Sequence, residues 1–369
     1  MTRDADALAR EVLAHFDLGG AIEEVAPLAE GHINRSWIAT AATGARFVLQ
    51  RLNETVFREP ERVMENVERV TRHLADALAR EGAREPARRA LRLVPTRAGA
   101  SCHRDATGGV WRVYPFVEGT QVREHVTTRE EAREVGRAFG TFQRLLAGYD
   151  GRRLHETIPH FHDAARRLAA LESALAADRA GRADDARPEI EAALGRRAMA
   201  HILQPLLDAG AIPERIAHND AKSSNVLLDA ATGEALCVVD LDTVMPGTLL
   251  SDFGDMVRSA TSPTAEDEPD LGAVGAEPTL FAGLAEGYLA EAGEILTATE
   301  RDLLVVVGQI ITWEQAVRFL TDHLDGDRYY RVAYPEHNLV RARTQLALLD
   351  SLERQAEEFL ALIQEMTDG

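Results

Sequence analysis

The stretch AHNDAKSSNVLLDAATGEALCVVDLDTVMPG, residues 217–247, constrains this chain more than any other part of its sequence. Asp220 and Asn225 lie in a polar turn before a short apolar run, and Asp240 lies near the end of a second apolar run. The turn-forming residues 231–233 separate the two runs, which predicts two antiparallel strands joined in a hairpin. Such a hairpin brings the three oxygen-bearing side chains to one end.

These three side chains suit one kind of chemistry. Two carboxylates and an amide oxygen are hard oxygen ligands, which Mg²⁺ prefers. Phosphoryl transfer needs a group that orients the acceptor hydroxyl, predicted here to be Asp220, and metal ligands that neutralise the triphosphate, predicted to be Asn225 and Asp240. The alternative is an ordinary hairpin with polar turn residues. The combination of H-N-D-x4-N with an apolar strand ending in V-V-D is far more specific than either part, and it favours a kinase that uses ATP and Mg²⁺.

The first part of the chain has the pattern of a small antiparallel sheet with helices. Runs of alternating or β-branched residues separated by Gly-containing turns predict strands, and apolar residues at helical spacing predict helices. The expected strands are 22–28, 36–40, 46–51, 90–94 and 109–117, and the expected helices are 4–16 and 60–80.

After Gly119 the pattern becomes mainly helical. Residues 162–208 and 280–366 carry helical periodicity, and the acidic stretch 262–278, which contains Pro and Gly, predicts a surface loop. A chain of 369 residues exceeds the usual size of one compact domain, so two lobes are expected.

The net charge of the chain limits the classes of partner that it is expected to bind. Its formal net charge is −19, from 60 acidic against 41 basic residues, and such a surface repels phosphate backbones and anionic lipid. We therefore expect neither nucleic acid nor a membrane as the main partner. Two cysteines are too few for a disulfide framework, and neither a signal-peptide pattern nor a membrane-length apolar run is evident, so the expected location is the cytoplasm. The sequence predicts no oligomeric state.

The H-N-D-x4-N loop with its following strand resembles the superfamily of aminoglycoside phosphotransferases and choline kinase-like enzymes, relatives of the protein kinases. The chain is most similar to the N-acetylhexosamine 1-kinase family within it. The shared segments occur in register along nearly the whole chain: GHIN (31–34), HNDAKSSN (218–225), VDLDTVMPG (239–247), DFGD (252–255), RFLTDHLDGDRYY (318–330) and YPEHNLVRARTQ (334–345).

The resemblance implies an α+β, bilobal, protein-kinase-like fold, with a small antiparallel sheet lobe and a larger, mainly helical lobe. The first lobe, 1–117, would bind the nucleotide. The second, 118–369, would hold a catalytic hairpin at 216–255 and a sugar-binding segment at 313–338. The implied reaction is the phosphorylation of the anomeric hydroxyl of N-acetylglucosamine or N-acetylgalactosamine by ATP with Mg²⁺.

The resemblance also implies the residues of a sugar pocket. His32 and Asn34 would line it from the loop after the first strand, although a polar hairpin turn explains Asn34 equally well. Arg318 and Tyr329 would complete it, because an Arg donates to sugar hydroxyls or an acetamide oxygen and a Tyr both stacks and hydrogen-bonds. Without this resemblance, Arg318 would be interpreted as an arginine on the surface of a helix.

The nucleotide site departs from the usual kinase pattern. Gln50 stands where kinases place a phosphate-binding Lys, so the phosphates must depend more on the metal or on other cations. Lys222 is one candidate cation, and a solvated loop lysine is an equal alternative. Phe116 and Val117, in the connection between the lobes, are expected to hold adenine through their backbone, since Pro115 has no N–H.

The DFGD segment resembles a metal motif of protein kinases, but it lies on the wrong side of the hairpin. Asp252 and Asp255 are therefore expected to cap a helix and to brace the catalytic loop through hydrogen bonds. Asp242 is expected to share a face with Asp240 in an extended strand and to support the site rather than bind the metal.

Two departures from the family leave the acceptor open. Ser259 stands where an aromatic residue is usual, and Arg35 stands where a small hydroxyl or acidic residue is usual. Another acceptor, such as an aminoglycoside, a methylthioribose-like sugar or an amino alcohol, is the first alternative, and the acidic residues 266–270 would suit a cationic one. An inactive kinase-like binding module is the second alternative, disfavoured because all three chemical residues are present.

Overall fold

A computed structural model describes residues 2–28 and 33–367 of the chain, with side chains from residue 5 onward. The chain forms two compact units. The first unit comprises Met1–Thr120, Gly148–Pro159 and Leu236–Met245, and the second comprises Gln121–Ala147, His160–Ala235 and Pro246–Gly369. The assignment of nucleotide binding to residues 1–117 stays a prediction, because compactness alone does not test it.

The first unit is built on an antiparallel sheet of five strands. Their order across the sheet is β1 (Ile22–Pro27), β2 (Arg35–Ala41), β3 (Arg46–Arg51), β5 (Val110–Pro115) and β4 (His103–Arg104). The register places Gln50 of one central strand opposite Ser36 on one side and Arg112 on the other. The elements up to residue 121 are α1 (Thr2–Leu13), β1 (Ile22–Pro27), β2 (Arg35–Ala41), β3 (Arg46–Arg51), α2 (Pro60–Arg80), α3 (Pro86–Arg89), β4 (His103–Arg104), β5 (Val110–Pro115) and β6 (Thr120–Gln121).

Apolar residues on one face of this sheet pack against α1. The rings of Trp37 and Trp111 lie 5.4 Å apart between their centroids, and Phe16, Leu49 and Val113 are buried beside them. The alternation along each strand sends these side chains to the same face. Gln50 and its neighbours on the two adjacent strands therefore lie on the opposite face of the sheet.

The rest of the chain is mainly helical. Short 3-10 helices also occur at Arg197–His201, Ser223–Asn225, Leu241–Thr243 and Gly293–Ile295. The remaining elements are α4 (Arg129–Ala147), α5 (Ala164–Ala177), α6 (Arg187–Gly195), α7 (Leu203–Asp208), β7 (Arg215–Ala217), β8 (Val226–Asp229), β9 (Ala235–Val238), β10 (Met245–Gly247), α8 (Leu249–Ala260), α9 (Pro278–Ala292), α10 (Ala298–Asp302), α11 (Leu304–Asp325), α12 (His337–Arg354) and α13 (Ala356–Thr367).

Two features organise the second unit. The apolar faces of α5, α6, α11 and α12 share one core, which buries Trp313, Phe319 and Leu320. Helices α4 and α9 approach each other through glycines: a Cβ on Gly136 would lie 2.1 Å from the carbonyl oxygen of Leu284, and one on Gly287 would lie 2.0 Å from that of Arg133. Only glycine permits backbones to approach this closely.

Two local predictions were wrong. Residues 90–94 form no strand; the chain passes through the short helix α3 and then runs irregularly. The second strand of the predicted hairpin, expected to extend past Asp240 to residue 241, ends at Val238. Asp240 then adopts a left-handed conformation (φ 60°), and residues 241–243 form a 3-10 helix. Asp242 therefore does not follow Asp240 in an extended strand. Asp and Asn tolerate positive φ better than other side chains, so this turn is compatible with the sequence.

None of the helices in the described part of the chain combines the length and the apolar composition needed to cross a bilayer.

Candidate active site

The predicted catalytic residue lies in a tight loop between β7 and β8. Asn219, directly before Asp220, has a left-handed backbone (φ 63°), which turns the chain sharply at this point. One carboxylate oxygen of Asp220 lies 3.1 Å from Nζ of Lys222 and accepts a hydrogen bond of 3.1 Å from the side-chain amide of Asn225. The same amide donates to the backbone oxygen of Asp220 at 2.8 Å. Asp220 is thus fixed by its own loop.

The charge of Asp220 is set by its neighbours. Burial alone would raise its pKa, but the interactions with Lys222, His218 and Arg258 outweigh burial and lower the pKa to about 2. The carboxylate is therefore ionised at neutral pH. A group with so low a pKa accepts a hydrogen bond from an acceptor hydroxyl and orients it, and it takes the proton only late in a reaction.

A chain of buried hydrogen bonds supports this loop from behind. Asp252, in the first turn of α8, accepts hydrogen bonds from the backbone N–H groups of His218 (2.8 Å) and Asn219 (2.7 Å). Gln143 donates to Asp252 at 2.9 Å, and the hydroxyl of Tyr288 donates to Gln143 at 2.6 Å. The prediction that Asp252 braces the catalytic loop is confirmed.

The capping part of that prediction was wrong. Thr248 caps α8 by accepting a hydrogen bond from the N–H of Ser251, whereas Asp252 lies inside the helix. Asp255 forms an ion pair with Arg258 at 2.7 Å. Burial raises the pKa of Asp252, and the charge of His218 and the bonds from the loop offset this only in part.

In the first unit, the segment after β9 carries the predicted metal ligand Asp240, which is exposed. Two residues on, Asp242 is buried and forms an ion pair with Arg112 of β5. Asn34 donates to the other carboxylate oxygen of Asp242 at 2.6 Å. Burial would lower the pKa of Arg112, but Asp242 more than offsets this and raises it, so the guanidinium stays charged.

The side chain of Gln50 belongs to the same network. Its oxygen accepts hydrogen bonds from Nε (3.0 Å) and Nη2 (2.8 Å) of Arg112, and its amide donates to the hydroxyl of Ser36 at 3.1 Å. Asn34 also accepts from the N–H of Asn53 at 3.0 Å. Within this unit, Gln50 and Asn34 therefore connect the sheet to the segment that carries Asp240.

The predicted metal ligands pass a simple chemical test. Asn225 uses its amide nitrogen within the loop, and among the described residues its side-chain oxygen accepts no hydrogen bond, so this oxygen is available to a cation. Asp240 offers a carboxylate in a turn. Within the described ranges no group of three His, Cys, Asp or Glu side chains is placed to hold a metal.

The predicted sugar-binding arginine is not a simple surface residue. Arg318 of α11 is half-buried, and its guanidinium lies 4.9 Å from the ring centroid of Phe161 and 5.8 Å from that of Tyr330. The guanidinium of Arg167 lies 6.0 Å from the same Phe161 ring, and no described residue accepts a hydrogen bond from its Nε. Two guanidinium groups therefore lie beside the ring of Phe161, and the Nε of Arg167 is a buried donor whose hydrogen bond no described residue accepts.

Tyr329 is 53% exposed and meets Tyr330 edge-on at 4.8 Å. The backbone of this stretch is fixed by Asp322, whose carboxylate accepts from the N–H groups of Arg328 (2.8 Å), Tyr329 (2.8 Å) and Tyr330 (2.9 Å). Asn338 donates to the same carboxylate at 2.9 Å. The late motifs of the sequence thus serve to hold one loop.

The other predicted residues are placed as follows. Lys222 is half-buried and paired with Asp220. The N–H of Phe116 donates to the carbonyl of Arg46 at 2.9 Å, and the carbonyl of Val117 accepts from the hydroxyl of Thr120 at 2.7 Å. His32 lies outside the described residues. The hydroxyl of Ser259 accepts a hydrogen bond of 3.2 Å from the N–H of Ser223, within the catalytic loop.

Two residues of this region, Arg112 and His162, were not predicted from the sequence. Arg112 is a charged residue inside the apolar run VWRVYP, and this interruption of a buried strand was the detectable sign. His162 pairs with Glu314, a position that relatives share but whose role the sequence left undefined, and no local pattern indicates a pairing over such a separation in sequence.

Comparison with known proteins identifies the family of this chain. Residues 24–301 match the phosphotransferase enzyme family. The chain belongs to this family. The predicted class of enzyme, a phosphotransferase, is therefore confirmed.

Solved structures share the fold of this phosphotransferase at low sequence identity. One is an amicoumacin kinase in complex with AMP-PNP and Ca²⁺ (TM-score 0.62, 14% identity, covering 94% of this chain and 96% of that one). Another is a microcompartment-associated aminopropanol kinase (TM-score 0.58, 16% identity, covering 96% of this chain and 98% of that one). A third is an aminoglycoside phosphotransferase from Alicyclobacillus acidocaldarius (TM-score 0.57, 16% identity, covering 94% of this chain and 96% of that one). The predicted kinase-like α+β fold is confirmed.

Proposed function

We propose that this phosphotransferase transfers the terminal phosphoryl group of ATP to the anomeric hydroxyl of an N-acetylhexosamine, N-acetylglucosamine or N-acetylgalactosamine. The membership of the family supports phosphotransfer, and the six shared sequence segments support the acceptor. The amicoumacin kinase bound to AMP-PNP and Ca²⁺ supports the use of ATP with a divalent ion, for which Mg²⁺ is the expected species here.

The observation that carries the proposal is the state of Asp220. Its carboxylate is ionised, with a pKa of about 2, and the loop holds it from two sides through Lys222 and Asn225. A fixed, charged acceptor of this kind orients a sugar hydroxyl for attack on phosphorus. As the new P–O bond forms and the bond to ADP breaks, the hydroxyl proton passes to Asp220.

Asn225 and Asp240 are proposed to hold the metal ion through their side-chain oxygens. Bound Mg²⁺ would supply positive charge that neutralises the phosphates. Lys222 adds a cation near Asp220, 3.1 Å from its carboxylate. Gln50 contributes less directly, through Arg112, because its oxygen already accepts from that guanidinium.

Adenine is proposed to bind at residues 116–117. The N–H of Phe116 is already donated to Arg46, so Phe116 is expected to contribute its carbonyl oxygen and Val117 its N–H. Arg318, Tyr329, Asn34 and His32 are proposed to bind the sugar. Arg167, beside the same aromatic ring as Arg318, is added to this set.

The structure weakens the case for a cationic acceptor. Two carboxylates of the acidic loop already have partners: Glu266 pairs with Arg258 at 2.8 Å, and Asp267 pairs with His337 at 2.9 Å. An aminoglycoside would have to compete with Arg258 and His337 for these two carboxylates. Aminoglycosides and amino alcohols therefore enter the test as competitors of the hexosamines.

The first experiment measures ATP consumption with a panel of N-acetylhexosamines, neutral hexoses, aminoglycosides and amino alcohols, and assigns the product by ³¹P NMR. We expect the highest kcat/KM with an N-acetylhexosamine and a phosphate on the anomeric oxygen. Turnover of another class of acceptor alone would disprove the proposed substrate. No turnover of any acceptor would support an inactive binding module.

The second experiment replaces the catalytic carboxylate. Asp220→Asn is expected to lower kcat by about 10²–10⁴-fold with nucleotide affinity nearly unchanged, because the amide no longer accepts the hydroxyl proton. The matched control is Asp229→Asn, at the end of β8 in the same unit, which should keep the wild-type rate. Retention of most of the rate by Asp220→Asn would remove Asp220 from the mechanism.

A further inference from the structure

The residue that precedes Asp220 is held by a histidine that belongs to none of the motifs. Nε2 of His162 lies 3.1 Å from the carbonyl oxygen of Asn219, and Nδ1 lies 3.2 Å from a carboxylate oxygen of Glu314. His162 precedes α5, and Glu314 lies in the middle of α11. The imidazole thus connects the catalytic loop to the central helix of the second unit.

Both partners of this imidazole are acceptors. A carbonyl oxygen and an ionised carboxylate cannot donate, and a neutral imidazole carries only one N–H. Both contacts are hydrogen bonds only if the histidine–glutamate pair holds one proton more than a neutral imidazole beside a carboxylate. Since the ordinary pKa of histidine exceeds that of glutamic acid, this proton belongs to the imidazole.

The surroundings favour the charged pair. Burial lowers the pKa of His162, but Glu314 outweighs it and the net pKa is raised; burial likewise raises the pKa of Glu314, and His162 more than reverses this. The other charges that act on the imidazole are Arg318 of α11, which opposes its protonation, and Asp255 of α8, which favours it. The second oxygen of Glu314 is buried and has no hydrogen-bond partner among the residues described. An unpaired buried carboxylate is costly, so Glu314 depends on His162 for its charge balance.

We propose that His162 is a positioning residue that acts as an imidazolium, fixing the carbonyl of Asn219 and thereby the carboxylate of Asp220. When the imidazolium loses its proton to solvent, one of the two hydrogen bonds is lost and the loop before Asp220 is released. The catalytic part of this inference rests on the proposed function. The protonation state of His162 does not.

The protonation state is measured directly. In protein labelled with ¹⁵N-histidine, the ring that disappears from the spectrum of His162→Gln is expected to carry two N–H groups above pH 6.5, the ordinary pKa of histidine. A ring that titrates at or below that value overturns the proposal. Where His162→Gln does not fold, the ring whose titration shifts in Glu314→Gln identifies the same residue.

The effect on catalysis is measured by the pH dependence of kcat. Glu314→Gln removes the charge that keeps the imidazole protonated, so the alkaline decline of kcat is expected to move to lower pH by about one unit or more, with KM for ATP nearly unchanged. Glu353→Gln, which removes a carboxylate from the pair with Arg196 in the same unit, is the charge-matched control and should leave the profile in place. An equal loss of kcat at every pH in Glu314→Gln would indicate a purely structural contact and overturn the proposal.

The two arms separate the two proposals. If no hexosamine is phosphorylated but the ring of His162 is doubly protonated, the proposed substrate fails and the assignment of the imidazolium stands. If hexosamines are phosphorylated and the ring of His162 is neutral, the proposed substrate stands and the assignment of the imidazolium fails.

Discussion

At the scale of single residues, the pair of Arg112 and Asp242 shows how one buried charge organises its neighbours. Both side chains are almost completely buried, at 1% and 2% exposure, and Gln50 and Asn34 satisfy their remaining polar atoms. A buried ion pair is tolerated only when its hydrogen bonds are completed in this way. The network therefore fixes Asp242, two residues after Asp240, and with it this part of the backbone.

Removal of one member of this pair should be far more damaging than removal of both. Arg112→Met leaves the carboxylate of Asp242 buried without its partner, and we expect the free energy of unfolding to fall by about 3–5 kcal/mol. Arg112→Met combined with Asp242→Leu should recover most of this loss. Urea denaturation of the two single variants and the double variant measures the coupling, and additive losses would contradict the account.

A second carboxylate gives the fold a defined acid dependence. Asp105 accepts hydrogen bonds from the N–H groups of Thr107 (2.8 Å) and Gly109 (3.0 Å) and from the indole of Trp111 (2.7 Å). Burial would raise its pKa, but the hydrogen bonds from Thr107 and Trp111 outweigh burial and lower the pKa to about 2. A depressed pKa in the folded state stabilises the fold above the unfolded value near pH 4, and this contribution disappears as the pH falls through 2.

Asp105→Asn should therefore cost about 1–3 kcal/mol at pH 7, because the indole N–H loses its charged acceptor. The difference from the wild type should shrink between pH 4 and pH 2. Thermal unfolding at several pH values measures it, with Asp76→Asn on the exposed side of α2 as the control. A difference that stays constant down to pH 2 would show that ionisation of Asp105 is irrelevant.

At the scale of elements, the contact of α4 with α9 supports the catalytic loop. Gln143 on α4 and Tyr288 on α9 form the hydrogen-bonded chain that ends at Asp252 and the loop amides. The close approach of the two helices through Gly136 and Gly287 makes this chain short enough to connect. Packing of these helices and placement of Asp220 are thus linked.

Gly287→Ala should separate the two helices. The added methyl group would lie 2.0 Å from the carbonyl oxygen of Arg133, so the backbone must move, and we expect a loss of about 1–3 kcal/mol together with reduced kcat. Gly195→Ala, at the end of α6, is the control, because nothing lies within 4 Å of the added group. Calorimetric unfolding and steady-state kinetics of both variants test this. Equal stability of the two would mean that the glycine contact is dispensable.

At the scale of the whole molecule, the acidic composition controls association. The net charge is −19 at pH 7 and the isoelectric point is about 5.1, so mutual repulsion between molecules vanishes near pH 5. We expect light scattering to be highest near that pH and to fall again toward pH 7, because net charge near zero promotes association. A scattering maximum above pH 6 would contradict a charge-controlled mechanism.

Much of the architecture follows from local patterns. The helix over 60–80 and the strands β1, β2, β3 and β5 were predicted because each element satisfies its own periodicity, and their observed bounds lie within a few residues. The two-residue strand β4 was not predicted, because it is too short to show a period. The loop of Asp220 was predicted because its residues are close in sequence. The turn at Asp240 was missed, since apolar runs show where a strand may continue and not where its backbone reverses.

Residues paired over long separations escaped prediction for a different reason. The partners of Arg112 and His162 are Asp242 and Glu314, and nothing in a single sequence indicates which distant carboxylate a buried cation meets. Conversely, the motif around Asp322 and Asn338 was recognised as important before its task was known. It supports a loop backbone, which side-chain chemistry alone does not reveal.

That loop has a consequence for engineering. Because the carboxylate of Asp322 holds the main chain at residues 328–330, the path of the loop does not depend on the exposed ring at position 329. A saturation library at Tyr329 would therefore vary the chemistry presented to an acceptor while the scaffold beneath it stays fixed. Altered selectivity can be sought there with little risk to folding, provided that Asp322 and Asn338 are kept out of the library.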